Sequence, residues 1–325
     1  MNRIVYLIGA CWLSMVPALA QEAGNYGFLN LPVSARTAAL GGTNISVVEP
    51  ELGLADQNAA LLCPEMAGQL AFSYMNYVSD INIGSVGYAG VLREFGGWSV
   101  GMRYVDYGTF DGYSDQGVSE GTFTAKDIAL SGAVGYPIND KWRMGACARV
   151  LYSSYETYDS WALSVDLGLN YYDEVAGRSF SVTLNHLGGQ LKPFEDRREN
   201  LPTQLVMGLT KELEHLPFCL SLTAYDLLEW DTDVPRENGK GTHYSRAEQI
   251  LNHLIFGAEW NVSQQLYFSA AYNFRRQRQF SHMGGFLRGV SLGGGFKSGR
   301  LSLQCSYARY NAADGSLVVG CSYQL

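Results

Sequence analysis

The feature that most constrains this chain is a two-residue period that runs from Gln69 to Leu325. Segments of about ten residues carry apolar side chains at every second position, and no segment is apolar throughout. Successive side chains of a strand point to opposite faces, so each segment offers one face to hydrocarbon and one to polar packing. A tilted strand crosses a bilayer in roughly 9–11 residues. The pattern therefore predicts an all-β fold, a transmembrane antiparallel β-barrel.

The number of segments is even, as a single-chain barrel with both termini in the periplasm requires. The connections after even-numbered segments are short, whereas four of those after odd-numbered segments are long: 107–122, 188–200, 229–249 and 275–288. Because such barrels have short periplasmic turns and long outer loops, we expect the long connections to be extracellular. We predict about 14 strands, which begin near Gln69, Ile83, Trp98, Phe123, Trp142, Trp161, Ser179, Leu201, Phe218, Ile250, Gln265, Gly289, Arg300 and Ser316.

The N-terminal end of the sequence predicts export from the cytoplasm, as an outer-membrane barrel requires. Arg3, the apolar run from Ile4 to Val16 and the small residues at 18–20 have the layout of a cleaved signal peptide over 1–20. We then expect a plug segment over 21–66 and the barrel over 67–325. Without Arg3 the mature chain has 22 basic and 31 acidic residues, an acidic balance that argues against nucleic acid as a partner. Its five cysteines are an odd number and cannot form a complete disulfide framework.

Charged residues within the segments are expected to point into the lumen, because an Arg on the lipid face at mid-bilayer costs about 2–4 kcal/mol. The alternation places four charges inside the barrel: Arg103, Arg143, Arg149 and Asp166. Lumenal charge of both signs fits either a selective channel or a plugged interior that ion pairs hold together. The presence of a candidate plug favours the second interpretation.

The segment before the first strand lacks the alternation and is largely apolar. Ser34 is placed to cap a short helix over 35–40, and Gly41-Gly42 to end it in a left-handed turn. An apolar tail of this kind is better buried in the lumen than left in water. Five residues are candidates for the plug: Ser34, Arg36, Gly41, Gly42 and Asn58.

The stretch Leu31-Pro-Val-Ser-Ala-Arg36, the following Ala-Leu-Gly-Gly and the Asn58–Leu61 element together resemble the N-terminus of the PorV/PorQ family, and PorQ in particular. These are outer-membrane components of the type IX secretion system of Bacteroidetes, related in fold to the FadL fatty acid transporters. The resemblance implies a FadL-like barrel of fourteen strands with an N-terminal hatch. This chain departs from the family in having Ala59 where Pro is usual, which removes a rigid φ angle.

Two functions remain open. The resemblance implies a protein of the attachment complex that holds a PorZ-like surface partner, alongside PorU and PorV, while cargo is joined to lipopolysaccharide. Kinship with FadL implies instead a transporter of a hydrophobic small molecule. For the first function the candidate contacts lie in the longest loop, where aromatic and Arg side chains dominate interfaces: Trp230, Pro235, Tyr244 and Arg246. Arg275, Arg276 and Arg278 are further candidates for lipopolysaccharide phosphates or an acidic partner, with solvated loop charge as the alternative.

No sequence motif of an enzyme is present, and the five His residues form no recognisable constellation, so we expect no catalysis and no cofactor. No Cys/His spacing predicts a metal site. Asp231, Asp233 and Glu237 have oxygen ligands suited to Ca²⁺, but their spacing is more typical of a solvated acidic loop.

Overall fold

The computed structural model describes residues 26–92, 96–113, 119–194, 198–230, 245–279, 287–311 and 314–325. The predicted signal peptide, 1–20, lies outside these residues, so the boundaries proposed for it and for the plug stay predictions. Within the described residues no helix is both long and apolar enough to cross a bilayer.

The prediction of a closed antiparallel barrel with fourteen strands is confirmed. Each strand pairs with the next along the chain, and the first pairs with the last, Gln69 opposite Gln324. The strands are β1 Gln69–Val78, β2 Ile81–Leu92, β3 Gly96–Tyr113, β4 Ser119–Pro137, β5 Trp142–Tyr155, β6 Tyr158–Asp173, β7 Arg178–Lys192, β8 Gln204–Glu212, β9 Phe218–Ala224, β10 Leu254–Asn261, β11 Leu266–Asn273, β12 Val290–Ser298, β13 Leu301–Ala308 and β14 Ser316–Gln324.

The barrel has two distinct ends. At the end that we call the turn end, all connections follow even-numbered strands and contain two to five residues. The opposite end, the loop end, carries the long connections 193–203, 225–253 and 274–289. Two helices lie in these connections, α3 Arg246–Asn252 and α4 Phe274–Gln279.

The outer face is apolar along all the strands. In β6, Trp161, Leu163 and Val165 are exposed, whereas the intervening Ala162 and Ser164 are buried. The same alternation holds in β14, where Leu317 and Val319 are exposed around a buried Val318. An apolar outer face on a closed wall is the arrangement that hydrocarbon requires, because the ladder satisfies every strand's backbone groups internally.

The lumen contains the N-terminal segment, as the fold prediction required. It includes α1 Ala35–Ala39, α2 Leu52–Ala55 and 3₁₀ turns at Gly27–Asn30, Ala59–Leu61 and Pro64–Met66. We call residues 26–67 the plug. Its first described residue, Tyr26, is fully buried in the loop-end half of the lumen, where its hydroxyl bonds Ser160 at 2.7 Å. The predicted periplasmic N-terminus lies outside the described residues.

Two segments differ from the sequence prediction. Much of the predicted loop 107–122 is strand, because β3 continues to Tyr113 and β4 begins at Ser119. A bulge around Gly108, with φ of 83°, shifts the register and breaks the alternation without ending the strand. The tenth strand begins at Leu254 rather than near Ile250. Helix α3 occupies the preceding residues, because a capping box between Ser245 and Glu248 starts a helix at Arg246.

Candidate functional site: the plug and the lumen around it

The first plug helix, α1, is held in the lumen by its own cap and by complete burial. The Ser34 hydroxyl accepts a hydrogen bond from the Thr37 backbone N–H at 3.1 Å, which satisfies one of the free donors of the first turn. All five residues of the helix are buried, and the helix packs against β11 to β14. Arg36 is therefore carried into the interior, where its charge needs partners.

Arg36 finds those partners in a carboxylate from the wall and others from the plug. Its Nε and Nη2 atoms donate to Glu259 on β10 at 3.1 and 2.5 Å, and Nη1 donates to Glu51 at 2.9 Å. The Ser269 hydroxyl also donates to Glu259, at 2.9 Å. Burial opposes the charge on Arg36, but Glu259 and Glu51 outweigh burial and raise its pKa well above the ordinary value. This cluster fastens α1 to the wall by charge.

The glycine pair that ends α1 makes room for side chains of the loop end. Gly41 and Gly42 have φ of 95° and 93°, a conformation that other residues rarely adopt. A Cβ atom on Gly42 would lie 3.0 Å from Arg276 Nη2 and 3.1 Å from the Tyr310 ring. Arg276, on α4, donates to the Gly41 carbonyl at 3.0 Å and lies 4.2 Å from the centre of the Tyr310 ring. The pair therefore links the plug to α4.

Asn58 orders the other end of the plug. Its side-chain oxygen accepts from the Ala60 N–H at 3.0 Å, and its side-chain nitrogen donates to the Ile45 carbonyl at 2.9 Å. The first bond caps the 3₁₀ turn Ala59–Leu61, and the second ties that turn to Ile45, in the irregular stretch after α1. Neither bond requires the proline that the PorV/PorQ family usually has at position 59, where this chain has Ala59.

A row of inward-facing glycines receives this turn. Gly97, Gly135, Gly145 and Gly168 lie opposite one another on β3, β4, β5 and β6. A Cβ atom on Gly145 would lie 2.2 Å from the Ala59 carbonyl carbon and the Ala60 nitrogen. We call these four residues the glycine track. Because the track carries no side chains, the plug backbone lies directly on the wall.

Three of the four charges predicted to be lumenal lie together in the buried interior. Arg103 on β3 and Arg149 on β5 are 9% and 5% exposed, and Asp166 on β6 is 7% exposed. Arg149 forms an ion pair with Asp166. Arg103 donates to the Phe28 and Leu29 carbonyls of the plug at 2.9 and 3.3 Å. The fourth, Arg143, is half-buried near the turn end.

A cavity of about 70 Å³ lies between part of the plug and β1, β2, β3 and β14. Small inward side chains create the space, since Ser85, Ser73 and Gly320 lie in one register row across three strands. On the outside of the same strands lies an apolar groove of about 550 Å³, and residues of this row line both spaces. Arg103 and Arg149 form the inner side of the cavity. Sequence analysis missed the site because small residues on separate strands carry no local signal.

The predicted partner-binding residues lie at the loop end, and most of them make contacts within the chain. Trp230 is half-exposed and packs on His253, with ring centres 4.8 Å apart. Arg275 donates to Asp226 at 2.6 Å, and Arg278 donates to Asn252 at 2.6 Å and to the Glu248 carbonyl. Arg276 contacts the plug, and Arg246 is exposed on α3. Pro235 and Tyr244, like the acidic residues Asp231, Asp233 and Glu237, lie outside the described residues.

Among the residues that the structure describes, no group of His, Cys, Asp and Glu side chains is arranged to hold a metal ion. Five cysteines in this part of the chain are free thiols: Cys63, Cys147, Cys219, Cys305 and Cys321. The described site therefore consists of a plug, its charged and steric contacts with the wall, and the cavity between them.

No protein-family model matches this sequence, and no curated protein matches it either. Solved structures do match the fold. The toluene transporter TodX of Pseudomonas putida aligns over 90% of this chain and 98% of its own, with a TM-score of 0.55 and 13% identity. A TodX monoaromatic hydrocarbon channel with the deltaS2 mutation aligns over 91% and 99%, with a TM-score of 0.57 and 12% identity. The chain shares the fold of these channels.

A Pseudomonas aeruginosa FadL homologue also aligns, over 94% of this chain and 99% of its own, at 10% identity and a TM-score of 0.47. Of these proteins, TodX is named as a toluene transporter and as a monoaromatic hydrocarbon channel. At such low identity the likeness to TodX shows the fold alone.

Proposed function

We propose that this chain is an integral outer-membrane barrel that admits a small, uncharged, hydrophobic molecule into the cavity between its plug and its wall. The proposal is supported by the apolar exterior, which suits a bilayer, and by the fold shared with hydrocarbon channels. The single observation that carries it is the cavity beside β1, β2, β3 and β14, opposite an apolar groove on the outer face.

The charges that border the cavity favour an uncharged ligand over a fatty-acid carboxylate. Arg103 and Arg149 both reach it, but Arg149 is paired with Asp166. Arg103 is occupied by two plug carbonyls and by Asp56. A carboxylate would have to displace these partners and bury a further charge, which is costly without a free cation. An apolar ligand only has to fill space.

Filling the cavity tests the proposal. Ser73→Leu adds a side chain on the inward face of β1, whereas Gly132→Leu adds the same side chain on the outward face of β4, where a Cβ atom meets nothing within 4 Å. We expect uptake of labelled toluene by cells that carry the wild-type barrel, at least tenfold loss with S73L and little change with G132L. Equal uptake by cells with S73L and with the wild type would rule out this cavity as the site.

A second candidate function is the attachment complex of the type IX secretion system, in which the barrel would hold a PorZ-like surface protein with PorU and PorV and contact lipopolysaccharide. It is favoured by the motif residues themselves, because Arg36, Gly41, Gly42 and Asn58 all make contacts that hold the plug in place. A firmly seated plug suits an anchor that transports nothing.

Purification from native membranes in mild detergent distinguishes the two functions. A stoichiometric surface protein that is lost when loop 229–249 is shortened would support the anchor. Purification without a partner, together with toluene uptake that S73L abolishes, would support the transporter.

A further inference from the structure

Two arginines of the wall converge on one residue of the plug, Asp56, which follows α2. Arg103 Nη2 lies 3.4 Å from the Asp56 carboxylate. Arg149 Nη2 donates to the Asp56 backbone carbonyl at 3.0 Å and lies 3.9 Å from its carboxylate. Asp56 is thus a plug residue that contacts both buried cations, Arg103 of β3 and Arg149 of β5.

The charges of this group balance only when Asp56 is counted. Arg149 is paired with Asp166 on the neighbouring strand, which leaves Asp56 as the carboxylate for Arg103. The other acceptors of Arg103 are the Phe28 and Leu29 carbonyls, which carry no net charge. If the carboxylate of Asp56 were neutralised, one buried positive charge would remain without a counterion.

Asp56 also lies at the border of two spaces. It lines the cavity of about 70 Å³ and a smaller polar one of about 30 Å³, and Arg103 and Arg149 line both as well. In the smaller space, Asn185 Oδ1 and His186 Nδ1 are buried atoms without a hydrogen-bond partner among the described residues. The Asp56 carboxylate is therefore positioned where a ligand that entered from either space would meet the two guanidinium groups.

We infer that Asp56 determines the charge of the ligand that the lumen accepts. Its carboxylate occupies the position that an anionic head group would take on Arg103, so it excludes anions and leaves the cavity to uncharged molecules. The inference rests on the proposed function as a transporter. It assigns to one plug residue the choice between neutral and anionic ligands, and it predicts that this choice can be reversed.

The reversal is tested with two probes that share a ring and differ by a carboxylate, toluene and benzoate. Binding of each is measured on the purified full-length barrel in detergent. We expect the wild type to bind toluene and to bind benzoate at least tenfold more weakly. Asp56→Asn keeps the shape of the side chain and removes its charge, so benzoate affinity should rise at least tenfold. In the double variant D56N/R103Q the gain should disappear.

The matched control is Asp173→Asn, which removes a carboxylate that pairs with Lys141 and Arg178 at the turn end, away from the cavity. Benzoate affinity should not change in this variant. Circular dichroism and the heat-dependent gel mobility of barrels verify that each variant is folded, and Asp56→Ser serves as a second neutral variant if D56N does not assemble. A folded neutral variant that gains no benzoate affinity overturns the inference. If D56N gains benzoate affinity but the wild type fails to bind toluene, the proposed function fails and only the exclusion of anions by Asp56 stands.

Discussion

The two halves of the wall hold the same plug by different means. The high half, β3 to β7, has strands of 14 to 19 residues, whereas the low half, β8 to β14, has strands of 7 to 9. Between the two halves lie β1 and β2, with 10 and 12 residues. The turn Ala59–Leu61 lies on the high half, where the glycine track brings backbone against backbone. Helix α1 lies on the low half, where Arg36, Glu259 and Arg276 provide charged contacts.

The high half therefore holds the plug by steric fit, and the low half holds it by charge. Contact on the glycine track depends on the absence of side chains, so it is sensitive to volume and insensitive to salt. The buried ion pair on the low half depends on matched charge, and removing Glu259 leaves the buried Arg36 with only the carboxylates of the plug. A plug that must move can therefore be released from one half while the other still holds it.

The largest effect is expected from Glu259→Ala, which leaves Arg36 with its plug carboxylates alone. Breaking a buried ion pair costs about 3–5 kcal/mol when the remaining charge has no other partner, and Glu51 still pairs with Arg36. We expect the plug to become accessible to protease and the unfolding free energy of the refolded barrel to fall by up to that amount. The control is Asp159→Ala, which breaks an exposed pair with Lys192 and should cost less than about 1 kcal/mol. Equal effects of the two variants would contradict the role given to charge on the low half.

The next effect is expected on the high half from Gly145→Ala. The added methyl group would overlap the plug backbone at Ala59 and Ala60, and overpacking of this kind costs about 1–3 kcal/mol. Gly132→Ala adds the same group on the outward face of β4, where nothing lies within 4 Å. Hydrogen exchange over residues 57–63 should accelerate in G145A alone. Unchanged exchange would show that the track does not seat the turn.

A smaller effect is expected from the link between the plug and the loop end. Arg276→Ala removes the donor to the Gly41 carbonyl, which should cost about 1.5 kcal/mol, the lower end for hydrogen bonds to charged groups. Arg278 lies on the same helix, but its described partners belong to α3. Hydrogen exchange over residues 35–43 should rise in R276A and stay unchanged in R278A. A rise in both variants would mean that α4 protects residues 35–43 only through the stability of the helix, and not through the bond from Arg276.

The smallest effect is a pH dependence at the loop end. Burial lowers the pKa of His253, and its ring faces the Tyr225 carbonyl, Arg275 and Asp226. The neutral ring therefore stabilises the fold fully above the unfolded value of about 6.5, and this contribution is lost as the pH falls from there toward the folded pKa. Limited proteolysis within residues 225–253 should increase between pH 7.5 and 5.0. His253→Asn, which does not titrate in this range, should abolish that increase.

The barrel was predictable because each strand has to show one apolar face. The predicted starts at Gln69, Trp142, Phe218 and Ser316 coincide with those of the structure. The length of β3 was not predictable from the alternation of apolar residues, because the bulge at Gly108 shifts the register within the strand. Helix α3 had a local signal, the capping box of Ser245 and Glu248, that the search for alternation missed.

The candidate site was less predictable than the fold. Local rules sufficed for the Ser34 cap, since both partners lie within one turn of helix. The partner of Arg36 is 223 residues away, and nothing local identifies Glu259 among the acidic residues. The glycine track did carry a signal, because Gly135, Gly145 and Gly168 share the inward parity of consecutive strands near their turn-end termini. That these glycines contact the plug backbone could be recognised only once the position of the plug was known.

The pairing of β1 with β14 has a consequence for any partner of this protein. Where the sheet closes on itself it has no edge, so no strand there is available to recruit a strand from another chain. The loop-end parts of β3 and β7 differ, because they extend beyond their pairing with β2 and β8. Recognition by β-augmentation is therefore excluded for the closed part of the wall, where a partner must recognise side chains.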